Sequence, residues 1–318
     1  MSERNVEILI IGSGPAGLAA ALYAGRALVK PVVLERMSVG GLVLSTDWID
    51  NYPGFPEGIG GPELMERMHQ QAQRFGAEFV ADEALSLAKT DNGFDVSTAG
   101  GSTLHAAAVI VATGAVPKVL PVKEEAKFRG KGISYCATCD AAFFRDKPVA
   151  VIGGGGSAVE EGLVLARGSS KVTMVFPTEA LQAEPVLVQQ LVSLPNVELL
   201  PGAAPSAVEG GEAVERLRVR LAGGGETSLD VAGIFVAMDF VPTGELLKGL
   251  VDVDAHGYIV APESTETGVP GLYVAGDVRR KSLKQIVTAV ADGAVAAQKA
   301  GTFVRSRKGK GASQTAES

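Results

Sequence analysis

The sequence predicts an α/β protein with two dinucleotide-binding (Rossmann-like) domains, the second inserted into the first. Three features point there. An apolar run, a glycine turn, an Ala/Leu-rich stretch and a second apolar run follow one another from Val6, and the same order restarts at Val149; each set has the grammar of a βαβ unit. Hydrophobic residues make up 46% of the 318 residues while aromatics make up only 5%, so the core must be Ala, Val, Ile and Leu, as in parallel strands covered by helices. Near the end, Gly271 to Asp277 is another strand entering a glycine turn, and Leu283 to Val304 has helical spacing with Ile286, Val290 and Ala297 inward; this segment is expected to return and complete the first domain.

Taken in order, Val6 to Ile11 reads as a buried strand, Gly12-Ser13-Gly14-Pro15-Ala16-Gly17 as the turn, Leu18 to Ala27 as a helix, and Pro31 to Leu34 as the next strand, ending in Glu35. Glycines and prolines break every period from Gly40 to Pro62, which predicts a long loop. Leu64, Met68, Ala72 and Phe75 then recur at helical spacing, and Gly76 ends that helix. Alternation over Phe94 to Thr98, the Gly100-Gly101 turn and Thr103 to Ala106 predict a β-hairpin, followed by a strand at Ala108 to Ala112. A linker with Pro117 and Pro121 leads to the cysteine segment. Beyond it come the strand Val149 to Ile152, the turn Gly153 to Gly156, the helix Ser157 to Ala166 and the strand Lys171 to Phe176.

The formal charge of −7 and the lack of a basic run in the folded part argue against a nucleic-acid surface. No stretch is long and apolar enough to span a membrane, and the N-terminus lacks the pattern of a signal peptide. A cytoplasmic protein is expected. Residues from Arg305 onward, with Arg305, Arg307, Lys308 and Lys310, lose hydrophobic periodicity and read as a flexible tail. The two cysteines, Cys136 and Cys139, are three positions apart, which in a reducing compartment points to redox chemistry or a metal. Zinc normally takes four ligands. With His69, His105 and His256 scattered, no metal site is expected.

Three motifs carry the chemistry. In the first turn Gly12 allows the bend, Gly14 lets the backbone approach a pyrophosphate and Gly17 lets the helix pack on the strand; Pro15 and Ala16 open the helix whose amides face the anion. Glu35, 23 residues after Gly12, is placed to accept hydrogen bonds from a ribose diol. The second turn keeps Gly153, Gly155, Ser157 and Ala158, so a second nucleotide is an open possibility there. The same interval, however, ends at Phe176, with neither a carboxylate for a 2′-hydroxyl nor a guanidinium for a 2′-phosphate. In Tyr135-Cys136-Ala137-Thr138-Cys139-Asp140 the two thiols can close a small ring that takes up two electrons and releases them by thiol exchange, with the Asp140 carboxyl beside them as a proton donor.

With these motifs in place, the chain resembles the low-molecular-weight thioredoxin reductases, flavin-dependent disulfide reductases, over nearly its full length. Cys-Ala-Thr-Cys-Asp followed by Ala-Val-Ile-Gly-Gly-Gly carries the resemblance, with Asn51-Tyr52-Pro53-Gly54, Ala112-Thr113-Gly114, Ala275-Gly276-Asp277-Val278 and Gln285 in support. The resemblance implies FAD held by residues 1–116 and 244–305, with contacts from Gly12, Gly14, Pro15, Ala16, Gly17, Glu35, Gly41, Asn51, Thr113, Gly114, Gly276, Asp277 and Gln285. It implies an inserted pyridine-nucleotide-type domain at 117–243 that carries the cysteines and swivels, with hinges near Pro117 and near Pro242 to Gly244, and a tail at 306–318. Cys139 is then the sulfur nearest the flavin, Cys136 the one that attacks the partner's disulfide, and Asp140 the acid/base group. Thioredoxin or a thioredoxin-like protein is the implied partner, and a homodimer the implied assembly.

The chain also departs from that family. Where NADPH-using members carry His-Arg-Arg and a further Arg, it reads Val175 to Glu184 without arginine; Leu42 replaces a glutamine, and Asp239 to Thr243 replaces Gly-x-x-Pro-Asn. The pyridine nucleotide is therefore left open, and inefficient use of NADPH is expected, with NADH or a protein donor such as ferredoxin in its place. Two other readings remain at this point: a flavin dithiol oxidase that passes electrons to oxygen, and a non-catalytic redox sensor.

Overall fold

The structure, a computed structural model, describes residues 3–46, 48–238 and 240–315, with side chains through residue 307. Asp239 and the Lys308 and Lys310 side chains, named above, lie outside that description. The chain divides into two compact units, one of residues 1–116 with 242–318 and the other of residues 117–241.

The first unit opens with β1 (Glu3–Ile11), α1 (Pro15–Arg26) and β2 (Pro31–Glu35). Pro15 stands where a helix needs no backbone donor, and its fixed φ starts α1 directly after Gly14. α2 (Gly61–Arg74) buries Leu64, Met65 and Ala72 and ends before Gly76, whose φ of 83° closes the helix. Then come β3 (Glu78–Ala81), β4 (Ala84–Thr90), β5 (Gly93–Thr98) and β6 (Thr103–Val111). The expected hairpin arm and the strand after it are thus one strand. Residues 106–108 are all alanine, with nothing to break the extended chain, so β6 pairs parallel with β1 from Thr103 to Val111 and antiparallel with β5 over Thr103 to Ala106. Within the predicted loop, Gly41–Ser45 forms a short 3-10 turn and Ile49 bridges Ile59.

The second unit is a contiguous stretch. After β7 (Ala115–Pro117) come α3 (Glu125–Phe128), β8 (Ile133–Ser134), α4 (Ala137–Asp140), β9 (Pro148–Ile152), α5 (Gly156–Ala166), β10 (Lys171–Val175), α6 (Pro185–Val192) and β11 (Val197–Leu200). An antiparallel meander, β12 (Ala203–Glu209), β13 (Arg216–Leu221) and β14 (Glu226–Asp230), precedes β15 (Gly233–Val236). The parallel sheet has the order β11-β10-β9-β15-β8. Its two faces bury separate clusters: Ile152, Ile234 and Val236 meet Val208, Leu217 and Val219 of the meander, while Val151, Met174 and Phe235 meet Ala158, Val159 and Leu191 of the helices.

β16 (Phe240–Pro242) follows, and β17 (Leu272–Val274) then joins the first unit's sheet beside β6, in the order β3-β2-β1-β6-β5-β4. One face of that sheet buries Ile8, Ile10, Val33 and Ile110 against alanines of α1 and of α7 (Ile286–Thr315); the other buries Leu9, Val109 and Val111 with Leu87, Val96, Val274 and Val278. α7 starts three residues later than the pattern suggested and continues past Val304, where a flexible tail was expected. A helix already nucleated and packed through Ala297, Ala300 and Val304 extends at little cost per residue, without hydrophobic spacing.

Candidate functional site

β2, β1, β6 and β17 lie side by side and parallel, so their C-terminal ends share one edge of the sheet, where open α/β sheets take ligands. Gly12, Glu35, Thr113-Gly114 and Gly276-Asp277 stand at those four ends. Gly12 has φ 100°, and a Cβ there would strike the Ala112 carbonyl, whereas a Cβ on Gly14 would meet nothing within 4 Å. That open space in front of α1's free amides suits a pyrophosphate. The Glu35 carboxylate accepts from the Ser13 N–H at 2.9 Å, the Ser13 hydroxyl at 2.6 Å and the Met37 N–H at 2.9 Å. It is thereby aimed beside the turn with lone pairs left for a ribose. The Gly40 N–H donates to the Ser13 carbonyl at 3.0 Å and Gly41 lies against Gly14. The edge thus fits a dinucleotide such as FAD.

The C-terminal segment adds further groups to this edge. Asn51 Nδ2 donates to Gln285 Oε1 at 3.2 Å. Thr113 Oγ1 donates to the Thr243 carbonyl at 2.5 Å and Thr243 Oγ1 returns a bond to the Thr113 carbonyl at 2.8 Å. Asp277 faces Lys281 Nζ at 3.0 Å. Behind it Asp292, buried on α7, accepts from the Gly276 N–H at 3.0 Å and from Arg279 Nη2 at 2.7 Å, with Lys281 at 3.4 Å. Arg279, Lys281 and Asp292 escaped the sequence reading. The signal for them was weak: two basic residues just after Gly-Asp-Val and one acid inside an alanine-rich helix.

In the second unit Cys136 and Cys139 form a disulfide with a Cα–Cα distance of 5.4 Å. Cys136 is half-buried and Cys139 exposed. The Cys139 N–H donates to Cys136 Sγ at 3.2 Å, a contact that favours a thiolate on Cys136 once the bond opens. Ser134 Oγ donates to Asp140 Oδ2 at 2.6 Å and accepts from the Cys136 N–H at 3.1 Å. One hydroxyl therefore ties the carboxylate to the redox turn. The approach to the turn is held by Tyr135, whose OH donates to Glu125 Oε1 at 3.0 Å and accepts from the Leu120 N–H. Arg129 grips the same carboxylate with bonds of 2.7 and 2.9 Å and holds its pKa below the ordinary value. Ser134, Glu125 and Arg129 were also missed, because nothing local marks a hydroxyl or an ion pair as support for a disulfide.

At the second turn Gly153 has φ 144° and packs under the Ala237 carbonyl, and a Cβ on Gly155 or Gly156 would meet nothing within 4 Å. Ser157 and Ala158 lie in the first turn of α5, so the phosphate end is open. At the ribose end Phe176 is buried against Gly154, and the Gln182 N–H donates to the Gly154 carbonyl at 2.6 Å. Residues 176–184 contain no Lys or Arg, and Glu179 and Glu184 are exposed. Among the described residues no cluster of His, Cys, Asp and Glu is arranged to hold a metal, and no helix is long and apolar enough to cross a membrane.

Residues 6–293 match the family described as pyridine nucleotide-disulphide oxidoreductase. The chain is 40% identical over 309 residues to the thioredoxin reductase of Peptoclostridium acidaminophilum, covering 95% of this chain and 98% of that one. It is 40% identical over 304 residues to the thioredoxin reductase of Streptomyces coelicolor, covering 95% and 94%. The crystal structure of Lactococcus lactis thioredoxin reductase superposes with a TM-score of 0.92 at 35% identity, covering 95% of this chain and 99% of that one. A glycine turn beside Glu35, a second turn before α5 and one Cys136–Cys139 disulfide occur together in a chain with these similarities: it belongs to the thioredoxin reductase family of pyridine nucleotide-disulphide oxidoreductases.

Proposed function

We propose that the chain is an FAD-dependent thioredoxin-disulfide reductase whose electrons leave through Cys136 and Cys139 to a thioredoxin-like protein, and that NADPH is not its efficient donor. The observation that carries the first part is the Cys136–Cys139 disulfide, with Cys136 Sγ accepting a backbone hydrogen bond and Asp140 tied to the same turn. Residues 1–116 and 244–305 form the FAD domain in this reading, and 117–243 the cysteine domain. Gly12, Gly14, Pro15, Ala16 and Gly17 hold the pyrophosphate, Glu35 the ribose, and Gly41, Asn51, Thr113, Gly114, Gly276, Asp277 and Gln285 the remainder of the cofactor. Bound FAD supplies the two-electron relay between donor and disulfide. Cys136 attacks the partner's disulfide as a thiolate, Cys139 resolves the mixed disulfide, and Asp140 gives and takes the proton.

The donor assignment rests on residues 176–184. A 2′-phosphate is held by charge-assisted bonds worth about 1.5 to 3 kcal/mol each, and this segment offers acids in place of guanidinium groups. Anaerobic titration of the purified yellow protein with NADPH, NADH and reduced ferredoxin in separate cuvettes tests it. Bleaching by NADH or ferredoxin, with none by micromolar NADPH, is the expected result, whereas rapid bleaching by micromolar NADPH removes this part. Rapid peroxide formation with a small dithiol, and none with reduced thioredoxin, would point instead to an oxidase. A homodimer in the cytoplasm completes the proposal, and sedimentation at working concentration checks the assembly.

A further inference from the structure

Glu161, on α5, has no part in the chemistry described so far. Its Oε2 is fully buried without a hydrogen-bond partner, and the Ala137 N–H faces its carboxyl as a donor. Ala137 directly follows Cys136, is 1% exposed, and packs with Ala158 and Val159 of α5. A carboxylate with one buried, unpaired oxygen is costly as an anion. Burial, with Glu160 next to it, pushes the Glu161 pKa up to about 7.

The surrounding elements provide little to offset that. α4 brings Asp140 and the Cys139 sulfur, with Cys136 at its N-cap, while β9 and α6 carry no charged residue. Lys171 of β10 is ion-paired with Glu198, and α5 itself adds Glu160 and, at its C-cap, Arg167. No ion pair reaches Glu161 among the described residues.

We propose that Glu161 is a positioning residue of the redox pair, fixing the peptide after Cys136 and taking up a proton as the disulfide is reduced. The inference rests on the reading that Cys136 and Cys139 cycle. Reduction breaks the Sγ–Sγ bond as two electrons enter. One sulfur leaves as a thiol with a proton from water and the other as a thiolate. The new negative charge raises the proton affinity of the nearby carboxyl, so Glu161 binds a further proton on reduction and releases it on reoxidation. By linkage, an ionised Glu161 disfavours the dithiol form and a protonated one does not.

The test equilibrates the full-length flavoprotein with reduced and oxidised dithiothreitol across about pH 6 to 9, counting thiols by alkylation after acid quench, in wild type and Glu161→Gln. Dithiothreitol supplies the electrons and closes to its cyclic disulfide, so no donor assignment enters. The amide keeps an acceptor for the Ala137 N–H but carries no charge. The expected result is agreement between the two proteins at the acid end and a several-fold shift toward dithiol in Glu161→Gln above neutrality. Superimposable curves overturn the inference while leaving a cycling pair. A pair that no buffer reduces overturns the cysteine reading itself. Should the variant fail to fold, infrared difference spectra of wild type decide: a protonated-carboxyl band that grows on reduction supports the role, and its absence removes it.

Discussion

Asp292 is a buried carboxylate between two cations, and its Oδ2 also receives the Gly276 N–H from the turn that carries Asp277. Asp292→Ala leaves the Arg279 guanidinium buried without a counter-charge, which should cost about 3 to 5 kcal/mol; a lower urea midpoint and faster flavin release are the measurements. At the sulfurs, Cys136→Ser or Cys139→Ser should abolish thioredoxin reduction while leaving the protein yellow, as stopped-flow absorbance would show. Glu161 adds a pH signature. Its folded-state pKa lies above the unfolded value, so its favourable contribution is full below the unfolded pKa of about 4.5 and is lost as pH rises through about 7. Glu161→Gln should therefore melt higher than wild type above neutral pH and alike below about pH 4.5. Cys136, Cys139 and Asp140 were legible in the sequence because no other cysteine competes and the three lie within five residues. Asp292 and Glu161 were not. Each acts on a group 16 to 24 positions away through one carboxylate, and such a pairing leaves no periodic trace.

At the level of elements, the strand–turn–helix sets at Val6 and Val149 were legible because their apolar runs are long and their turns rich in glycine. The split between hairpin arm and strand at Ala106 to Ala108 was misread, since alanine suits either a break or a continuation. The meander β12-β13-β14 went unread. Its strands alternate apolar residues with arginines and acids whose pairing, Arg216 with Asp230 and Arg218 with Glu226, emerges only across the sheet. α1 and α7 meet through small residues, and a Cβ on Gly293 would overlap the Ala16 carbonyl. Gly293→Val should thus force the helices apart and cost about 1 to 3 kcal/mol, read as a lower melting temperature with weakened flavin retention. The contact falls on Ala16, within the pyrophosphate turn itself, so retention should fall with the stability.

For the molecule as a whole, the crossings at residues 116–117 and 241–242 give the two units different dependence on chain order. Residues 117–241 contain every strand of their own sheet and both of its covering layers, so this segment expressed alone should fold cooperatively, as its melting curve would show. The inserted arrangement was readable from the third strand–turn–helix at Gly271, which has no partner strand of its own nearby. The first unit differs, because β17 pairs with β6 and α7 covers Ile8, Ile10 and Ile110. A protein stopped before residue 272 should leave that apolar face wet and aggregate. During translation, then, the ribosome must deliver nearly the entire polypeptide before its opening hundred residues can close. Until then the apolar face of the nascent N-terminal half stays uncovered, and capture of the yellow cofactor is expected only once the final helix has emerged.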